Sequence, residues 1–245
     1  MPTVAILAGG FASRLGELTR QTPKSLLEVA GRPFIFHQLE VLVRQGVRDV
    51  VLCLGHLGDL IQTAVGDGRS LGLRVRYSWD GGRPLGTGGA IRAALPLLGD
   101  DFLLLYGDSY LQCDFRKVAA ALRQSSYAAL MTLLRNEDRW DRSNVVFRDG
   151  LVVRYDKSRP TAGMRYIDYG LSGFRRAAFE RYILKEPLDL SDVYCHLVAR
   201  AGLGGYVVTR RFFEIGTPSG LEETRRYLSG VRGRTGCNSG LEARE

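Results

Sequence analysis

The sequence predicts an α/β fold, a mostly parallel sheet with helices on both faces. Two observations carry that prediction. Short apolar runs alternate with stretches of helical spacing through the first half of the chain, and the runs hand over to polar, glycine-containing loops that collect at one edge of the sheet. A chain of 245 residues with 45% hydrophobic content can bury a sizeable core. In sheets of this kind ligands sit outside the carboxyl ends of the strands, so those loops are where function is to be sought.

Residues 3–7 form the first strand, which breaks into Gly9-Gly10 and is followed by Ser13, Arg14 and Lys24. Glycines lack a Cβ, so backbone N–H groups can approach phosphate oxygens and form an anion-binding hollow. A bare strand-to-helix turn is the alternative reading of the glycine pair. Two cations beside that turn are costly unless an anion balances them, which favours a nucleoside triphosphate. Helical spacing at 34–45, a strand at 50–54, a helix at 57–65 and a strand at 73–77 follow. The third strand runs toward Arg83-Pro84-Leu85-Gly86-Thr87-Gly88-Gly89, a helix spans 89–98, and the fourth strand, 102–106, ends at Gly107-Asp108.

From Tyr127 the pattern is strand-rich, with runs at 128–134, 145–147, 151–155 and 166–174 separated by Asp-Gly and Lys-Ser-Arg-Pro turn signals. Helices at 177–184 and 190–201, a strand at 206–209, the run 211–217 and a closing helix at 218–228 complete the chain. The expected organisation is one domain, 1–228, with a nucleotide-binding half, 1–126, and a half for a second substrate, 127–228. Residues 229–245 are polar and glycine-rich without periodicity, which reads as a loose tail.

Several function classes are excluded or weakened. No apolar stretch approaches the roughly 20 residues needed to span a bilayer, and no targeting segment precedes the first strand, so a cytoplasmic protein with no membrane partner is expected. Cys53, Cys113, Cys195 and Cys237 lie far apart with no C-x-x-C pair, which argues against a disulfide framework or a zinc site. His37, His56 and His196 form no sequence-local metal pattern. The net charge of +8 is spread through scattered arginines without a compact basic run, and aromatics do not alternate with basic residues. A small polyanionic substrate accounts for the charge, and no nucleic-acid partner is expected. The dinucleotide pattern G-x-G-x-x-G fails in its glycine spacing and in lacking an acid after Cys53-Leu54-Gly55-His56; the pattern G-x-x-x-x-G-K-[ST] fails because Leu18 and Pro23 occupy its glycine positions.

The remaining pattern, L-A-G-G-x-x-x-R-L with P-K-S-L-L-E-V-A-G-R-P-F downstream, resembles the sugar-1-phosphate nucleotidyltransferases over about residues 3–228. Leu85-Gly86-Thr87-Gly88-Gly89-Ala90 is most similar to the heptose-1-phosphate and mannose-1-phosphate guanylyltransferases. The resemblance implies a Rossmann-like three-layer sandwich of the nucleotide-diphospho-sugar transferase type, with a mostly parallel mixed sheet. Ala12 stands where the family's loop has a third glycine, and a methyl there strains the loop if φ is positive.

The resemblance also implies roles. Leu7, Ala8, Gly9, Gly10, Ser13, Arg14, Lys24, Gly86, Thr87, Gly88 and Asp108 would bind the nucleotide. Glu214, in Glu214-Ile215-Gly216-Thr217-Pro218, stands where the family has aspartate and would share Mg²⁺ with Asp108, although an aspartate at a strand end is also a common cap or turn former. Asp156 and Lys157 would hold a sugar hydroxyl and the sugar phosphate, with a solvated turn as the alternative; Gly170 would approach the sugar through its backbone, and Asp168 is a further candidate for a hydroxyl. The implied reaction joins a nucleoside triphosphate, GTP by resemblance, to a heptose or hexose 1-phosphate and releases pyrophosphate. Arg14, Lys24, Asp108 and Lys157 carry it by alignment and charge neutralisation. A molybdenum-cofactor-type guanylyltransferase and a non-catalytic nucleotide sensor are the alternatives. The oligomeric state stays open, a homodimer included.

Overall fold

The two faces of the first strand set the architecture. In β1 (Thr3–Leu7), Val4 and Ile6 enter one buried cluster and Ala5 another, because successive side chains of a strand point to opposite faces. The structure, a computed structural model, describes residues 1–10, 13–180 and 187–236, with side chains given for all of these except 13, 180 and 232–236.

The chain continues through the small hairpin β2 (Glu28–Val29) and β3 (Arg32–Pro33), then α1 (Phe34–Arg44), β4 (Asp49–Leu54), α2 (Gly58–Val65), β5 (Arg74–Trp79), α3 (Gly86–Ala94) and β6 (Asp101–Tyr106). The second half comprises β7 (Ser109–Tyr110), α4 (Phe115–Gln124), β8 (Ala129–Arg135), β9 (Val145–Arg148), β10 (Leu151–Tyr155), β11 (Tyr166–Arg175), α5 (Ala177–Glu180), α6 (Leu190–Ala199), β12 (Leu203–Val208), β13 (Phe213–Glu214) and α7 (Pro218–Gly236).

Nine strands form one sheet in the order β5-β4-β1-β6-β11-β8-β12-β10-β9. The first four are parallel, β11 runs antiparallel between β6 and β8, and β12 is parallel to β8. β10 pairs antiparallel with β12 and β9, and β11 also with β9, so the sheet is mixed as expected but not mostly parallel: the parallel half is the first four strands, and the strands contributed by the second half are largely antiparallel. Apolar side chains of α1, α2, α4 and α7, among them Phe34, Ile61, Phe115 and Leu221, cover the face that carries Val4 and Ile6. The opposite face, with Ala5, Val51 and Leu104, is covered by Ile91 of α3, Phe179 of α5 and Tyr194 of α6. The connections from β1 lead to β4 on one side while β6 flanks it on the other, so the crevice beyond the carboxyl ends of β1 and β6 is a topological switch point.

Where the elements differ from expectation, a packing contact explains it. α3 begins at Gly86 rather than at residue 89 and tightens into a 3-10 turn, Leu95–Leu97. Its glycines read as loop, yet they let this turn press on residue 188: the Gly88 and Gly89 N–H groups donate to the Leu188 carbonyl at 2.9 and 3.2 Å, and Leu188 N–H donates to Leu85 O at 2.9 Å. β12 starts at Leu203, three residues before the expected strand, because Gly204 and Gly205 hid it. A Cβ on Gly204 would lie 2.2 Å from the Tyr127 ring and one on Gly205 2.4 Å from the Phe147 ring, so the glycines make room for aromatics. The first part of the helix expected at 177–184 is α5; the rest lies outside the described residues. The closing helix does not stop at Leu228. α7 continues to Gly236, so residues 229–236, expected as loose tail, are helical, propagated from turns anchored by Leu221 and Leu228 in the core. Residues 237–245 lie outside the described residues.

Candidate active site

A cavity of about 340 Å³ opens at the switch point, lined by Leu7, Ala8, Gly9 and Gly10 from the first loop, Lys24 and Ser25, Gly86 and Thr87 from the start of α3, and Tyr106, Gly107 and Asp108 after β6. These loops converge because β1 and β6 are hydrogen-bonded neighbours that end level, with Leu7 opposite Tyr106. Gly107 allows that closeness, since its N–H donates to the Leu7 carbonyl at 3.0 Å and a Cβ on it would lie 2.2 Å from the same oxygen. Gly9 packs equally tightly on the neighbouring loop, where a Cβ would lie 2.8 Å from Gly55 N, whereas Gly10 faces open space.

Asp108 is fixed from both sides. The buried Gln38 of α1 donates from its amide nitrogen to Tyr106 O at 2.9 Å and to Ser109 O at 2.8 Å, clamping the backbone that carries the carboxylate. Antiparallel pairing of β7 with β13 sets Glu214 opposite Ser109, and Ile215 N–H donates to the Asp108 carbonyl at 2.9 Å. The consequence is that Asp108 and Glu214, over a hundred residues apart in sequence, share one spot. A Cβ placed on Gly216 would lie 3.3 Å from an Arg14 guanidinium nitrogen, 3.4 Å from Asp108 Oδ2 and 3.6 Å from Glu214 Oε1. Lys24, in a 3-10 turn after Pro23, donates from Nζ to Asp108 Oδ2 at 2.8 Å.

The electrostatics of this cluster differ between its two acids. Burial pushes the Asp108 carboxyl up, but Lys24, through its charge and its hydrogen bond, with Ser109 and Arg14, outweighs burial and leaves it below its ordinary value. Glu214 goes the other way. Burial and the Asp108 charge raise its carboxyl, and Arg14 and Lys24 only partly offset them. An added cation between these oxygens would relieve that crowding. Cys53 also lines the cavity; burial, with help from Asp80, pushes its thiol up to about 12, so it adds no negative charge beside a phosphate.

Residues of the second half meet the cavity across the Tyr106 ring. Lys157, just beyond β10, places Nζ 4.9 Å from that ring's centroid, 3.4 Å from its hydroxyl and 3.5 Å from Asp168 Oδ2. Three of the expected site residues have partners within the protein. Asp156 Oδ1 accepts from Ser158 N–H at 2.9 Å and Arg159 N–H at 2.8 Å, so it closes its own turn, as aspartates at turn starts do; the acid beside Lys157 is Asp168. Gly170 has φ +97° and packs against Ser109 and Tyr106, and its N–H goes to Asp168 Oδ1 at 3.0 Å. Its backbone donor is thus spent inside the protein. Gly88 does not line the cavity, because its N–H and its open Cα face are taken up by Leu188. Thr87 does line it, but its hydroxyl accepts from Leu190 N–H at 2.8 Å. Ser13 lies in the turn Ser13–Thr19 with its side chain outside the description, and Ala12 lies outside the described residues.

The sequence reading missed other cavity residues. Ser25 also lines this space, and its buried hydroxyl has no hydrogen-bond partner among the described residues. Asp80, after β5, lines the same wall; burial raises its carboxyl, against a hydrogen bond from the Leu85 backbone. Its position three residues past an expected strand and near the Gly-rich loop was the available signal. No signal marked Gln38, which sits among apolar residues on a helical face.

Comparisons with known proteins bear on the family and the fold. The chain is 28% identical over 217 residues, 87% of its length and 94% of the other's, to a D-glycero-α-D-manno-heptose 1-phosphate guanylyltransferase from Campylobacter jejuni. It is 42% identical over 111 residues, 45% of its length and 48% of the other's, to an N-acetylmuramate α-1-phosphate uridylyltransferase from Neisseria meningitidis. The crystal structure of HddC from Yersinia pseudotuberculosis complexed with GMP-PN superposes with a TM-score of 0.77 at 24% identity, covering 93% of this chain and all of that one, and so shares the fold. The sequence pattern of the nucleotidyl transferases matches residues 3–144, more than half of the chain and the stretch that supplies the glycine loop, Lys24 and Asp108, and the chain belongs to that family.

Proposed function

We propose that the protein is a sugar-1-phosphate guanylyltransferase, which moves a guanylyl group from GTP to the phosphate of a heptose or hexose 1-phosphate and releases pyrophosphate. The observation that carries this reading is the meeting of Arg14, Lys24, Asp108 and Glu214 around Gly216 at the mouth of the cavity. Two anionic substrates repel each other, and a phosphate monoester is already largely ionised near pH 7, with a second pKa of about 6. What the protein must supply is therefore neutralisation and in-line placement rather than a base.

Mg²⁺ fits the residues present. The donors are two carboxylates, the space between them is kept open by the missing side chain of Gly216, and among the described residues no cluster of three or more metal-ligating side chains suggests another ion. Asp108 and Glu214 would hold it, the longer glutamate arm reaching the same spot from β13. When bound, the ion supplies charge neutralisation at the nucleotide phosphates. Lys24, whose Nζ lies 2.8 Å from Asp108 Oδ2, and Arg14 would then face the pyrophosphate oxygens, with the Ser25 hydroxyl as a further donor. Lys157 would orient the sugar phosphate from the far side of Tyr106. Free Cys53, Cys113 and Cys195 agree with a cytoplasmic setting, which is part of the same proposal, and among the described residues no helix is long and apolar enough to cross a membrane.

Asp80 supports guanine. A carboxylate at the cavity wall accepts from two adjacent donors, and guanine offers its N1–H beside N2–H₂, whereas uracil and thymine present one N–H flanked by carbonyls. Asp80→Asn should lower GTP turnover relative to UTP and dTTP by roughly 10- to 100-fold, the worth of hydrogen bonds to a charged group. An unchanged preference would remove Asp80 from base recognition. The function itself is tested by offering the four nucleoside triphosphates with a panel of heptose and hexose 1-phosphates and reading pyrophosphate; no release with any pair rejects it. Lys157→Ala should raise the KM for the sugar phosphate about tenfold or more while the GTP value stays within twofold. Equal shifts in both would deny Lys157 its place.

A further inference from the structure

Asp168 is an unexpected neighbour for a lysine that is to bind an anion. Its side chain is 1% exposed, and it lies 3.5 Å from the Lys157 ammonium. A buried carboxylate repels an incoming phosphate, so its presence calls for a compensating use. Its contacts show one. Oδ2 accepts from the Tyr106 hydroxyl at 2.8 Å, Oδ1 accepts from Gly170 N–H at 3.0 Å, and its backbone N–H donates to Asn144 Oδ1 at 3.0 Å. The register of β11 against β8 is interrupted between Asp168 and Ser172, where Gly170 takes φ +97° and the Thr132 hydroxyl donates to Leu171 O at 2.6 Å. That interruption turns Asp168 toward Tyr106, while Tyr106 itself is fixed through its carbonyl by Gln38 and by the parallel pairing of β6 with β1.

Resting on the function proposed above, we infer that Tyr106 and Asp168 are a positioning pair for Lys157: the Tyr106 hydroxyl and the Asp168 carboxylate hold the ammonium over the Tyr106 ring, on the wall shared with the nucleotide cavity. Lys157 is half exposed and flexible, and an unpositioned lysine would spend its charge in solvent. With the pair in place, the cation stands where the nucleophilic phosphate must arrive beside the α-phosphorus. In this arrangement the Tyr106 hydroxyl donates to Asp168 Oδ2 at 2.8 Å and accepts from Lys157 Nζ at 3.4 Å, so it links the carboxylate to the ammonium.

A double-mutant cycle on the full chain tests this. Tyr106→Phe keeps the ring and deletes only the hydroxyl; it should raise the KM for the sugar 1-phosphate about tenfold, with the KM for GTP within twofold and a cooperative melt that shows the variant to be folded at the assay temperature. In a Lys157→Ala background the same substitution should change the sugar-phosphate KM by less than twofold. Asp168→Asn, which keeps a hydrogen-bond acceptor and loses the charge, should behave like Tyr106→Phe in both backgrounds. An equal effect of Tyr106→Phe with and without Lys157, or a parallel rise in both KM values, would overturn the inference. Wild-type turnover in the same assay separates this outcome from failure of the functional reading, since an inactive wild type refutes the latter before any variant is compared.

Discussion

Replacing Asp108 by alanine should lower pyrophosphate release by on the order of 100-fold or more, about 2.7 kcal/mol of transition-state stabilisation, while the protein keeps its fold. The carboxylate stands at the rim, with its side chain 23% exposed, and the backbone beneath it is clamped independently by Gln38 and by Ile215, so its removal opens no cavity in the core. What changes is the charge arrangement. Lys24 loses the partner 2.8 Å away, Glu214 loses the neighbouring negative charge that helps hold its carboxyl high, and the acid and the lysine are left to pair with each other. A divalent ion would then face one carboxylate already engaged by a cation. The Mg²⁺ concentration needed for half-maximal rate should accordingly rise along with the loss of rate. Initial-rate measurements against Mg²⁺, beside a thermal melt, check both parts, and full activity in the folded variant would reject the site.

The largest effect on stability is expected from Gly107→Ala. The added Cβ would lie 2.2 Å from the Leu7 carbonyl oxygen, 3.0 Å from its carbon and 3.3 Å from Ala8 Cα. All three are backbone atoms, so no side chain can swing away, and β1 and β6 must part where they are joined at their carboxyl ends. Overpacking of this kind costs about 3 kcal/mol, which corresponds to a fall in melting temperature of roughly 6–12 °C for a domain of this size. Separation of the strands also moves the Tyr106 and Asp108 walls of the cavity, so GTP binding should weaken in the fraction that remains folded. Calorimetry settles the matter. A melting temperature within 2 °C of the wild type, a small shift for a domain of this size, would show that the loop relaxes at little cost.

Much of this molecule could be read from the chain because its local signals and its packing agree. The runs at 3–7 and 151–155 became strands with those bounds, and α1 and α2 follow their apolar spacing to within a residue or two. Asp108, Lys24, Arg14 and Glu214 were legible through family resemblance, and the structure brings them together. What escaped was non-local. Gln38 reads as an outlier on an apolar helix face until the carbonyls it serves, 68 and 71 residues away, are in place. Asp168 was expected only as a candidate for a sugar hydroxyl; that it stands beside Lys157 could not be read from spacing, because it depends on β11 breaking register next to it. Glycines misled in both directions: Gly88 looked like a ligand contact and is a seat for Leu188, while Gly204 and Gly205 looked like a break and are strand.

The seating of Leu188 on the opening turn of α3 limits how this protein can be re-engineered. The loop before that helix is not a portable module: its amides and the Thr87 hydroxyl are bonded to a segment about a hundred residues downstream. A chimera that imports a relative's version of residues 83–90, aiming at a new base preference, would arrive without its counterpart. Grafting residues 188–190 from the same donor along with it supplies the matching half, so exchange of specificity in this scaffold is a two-segment operation.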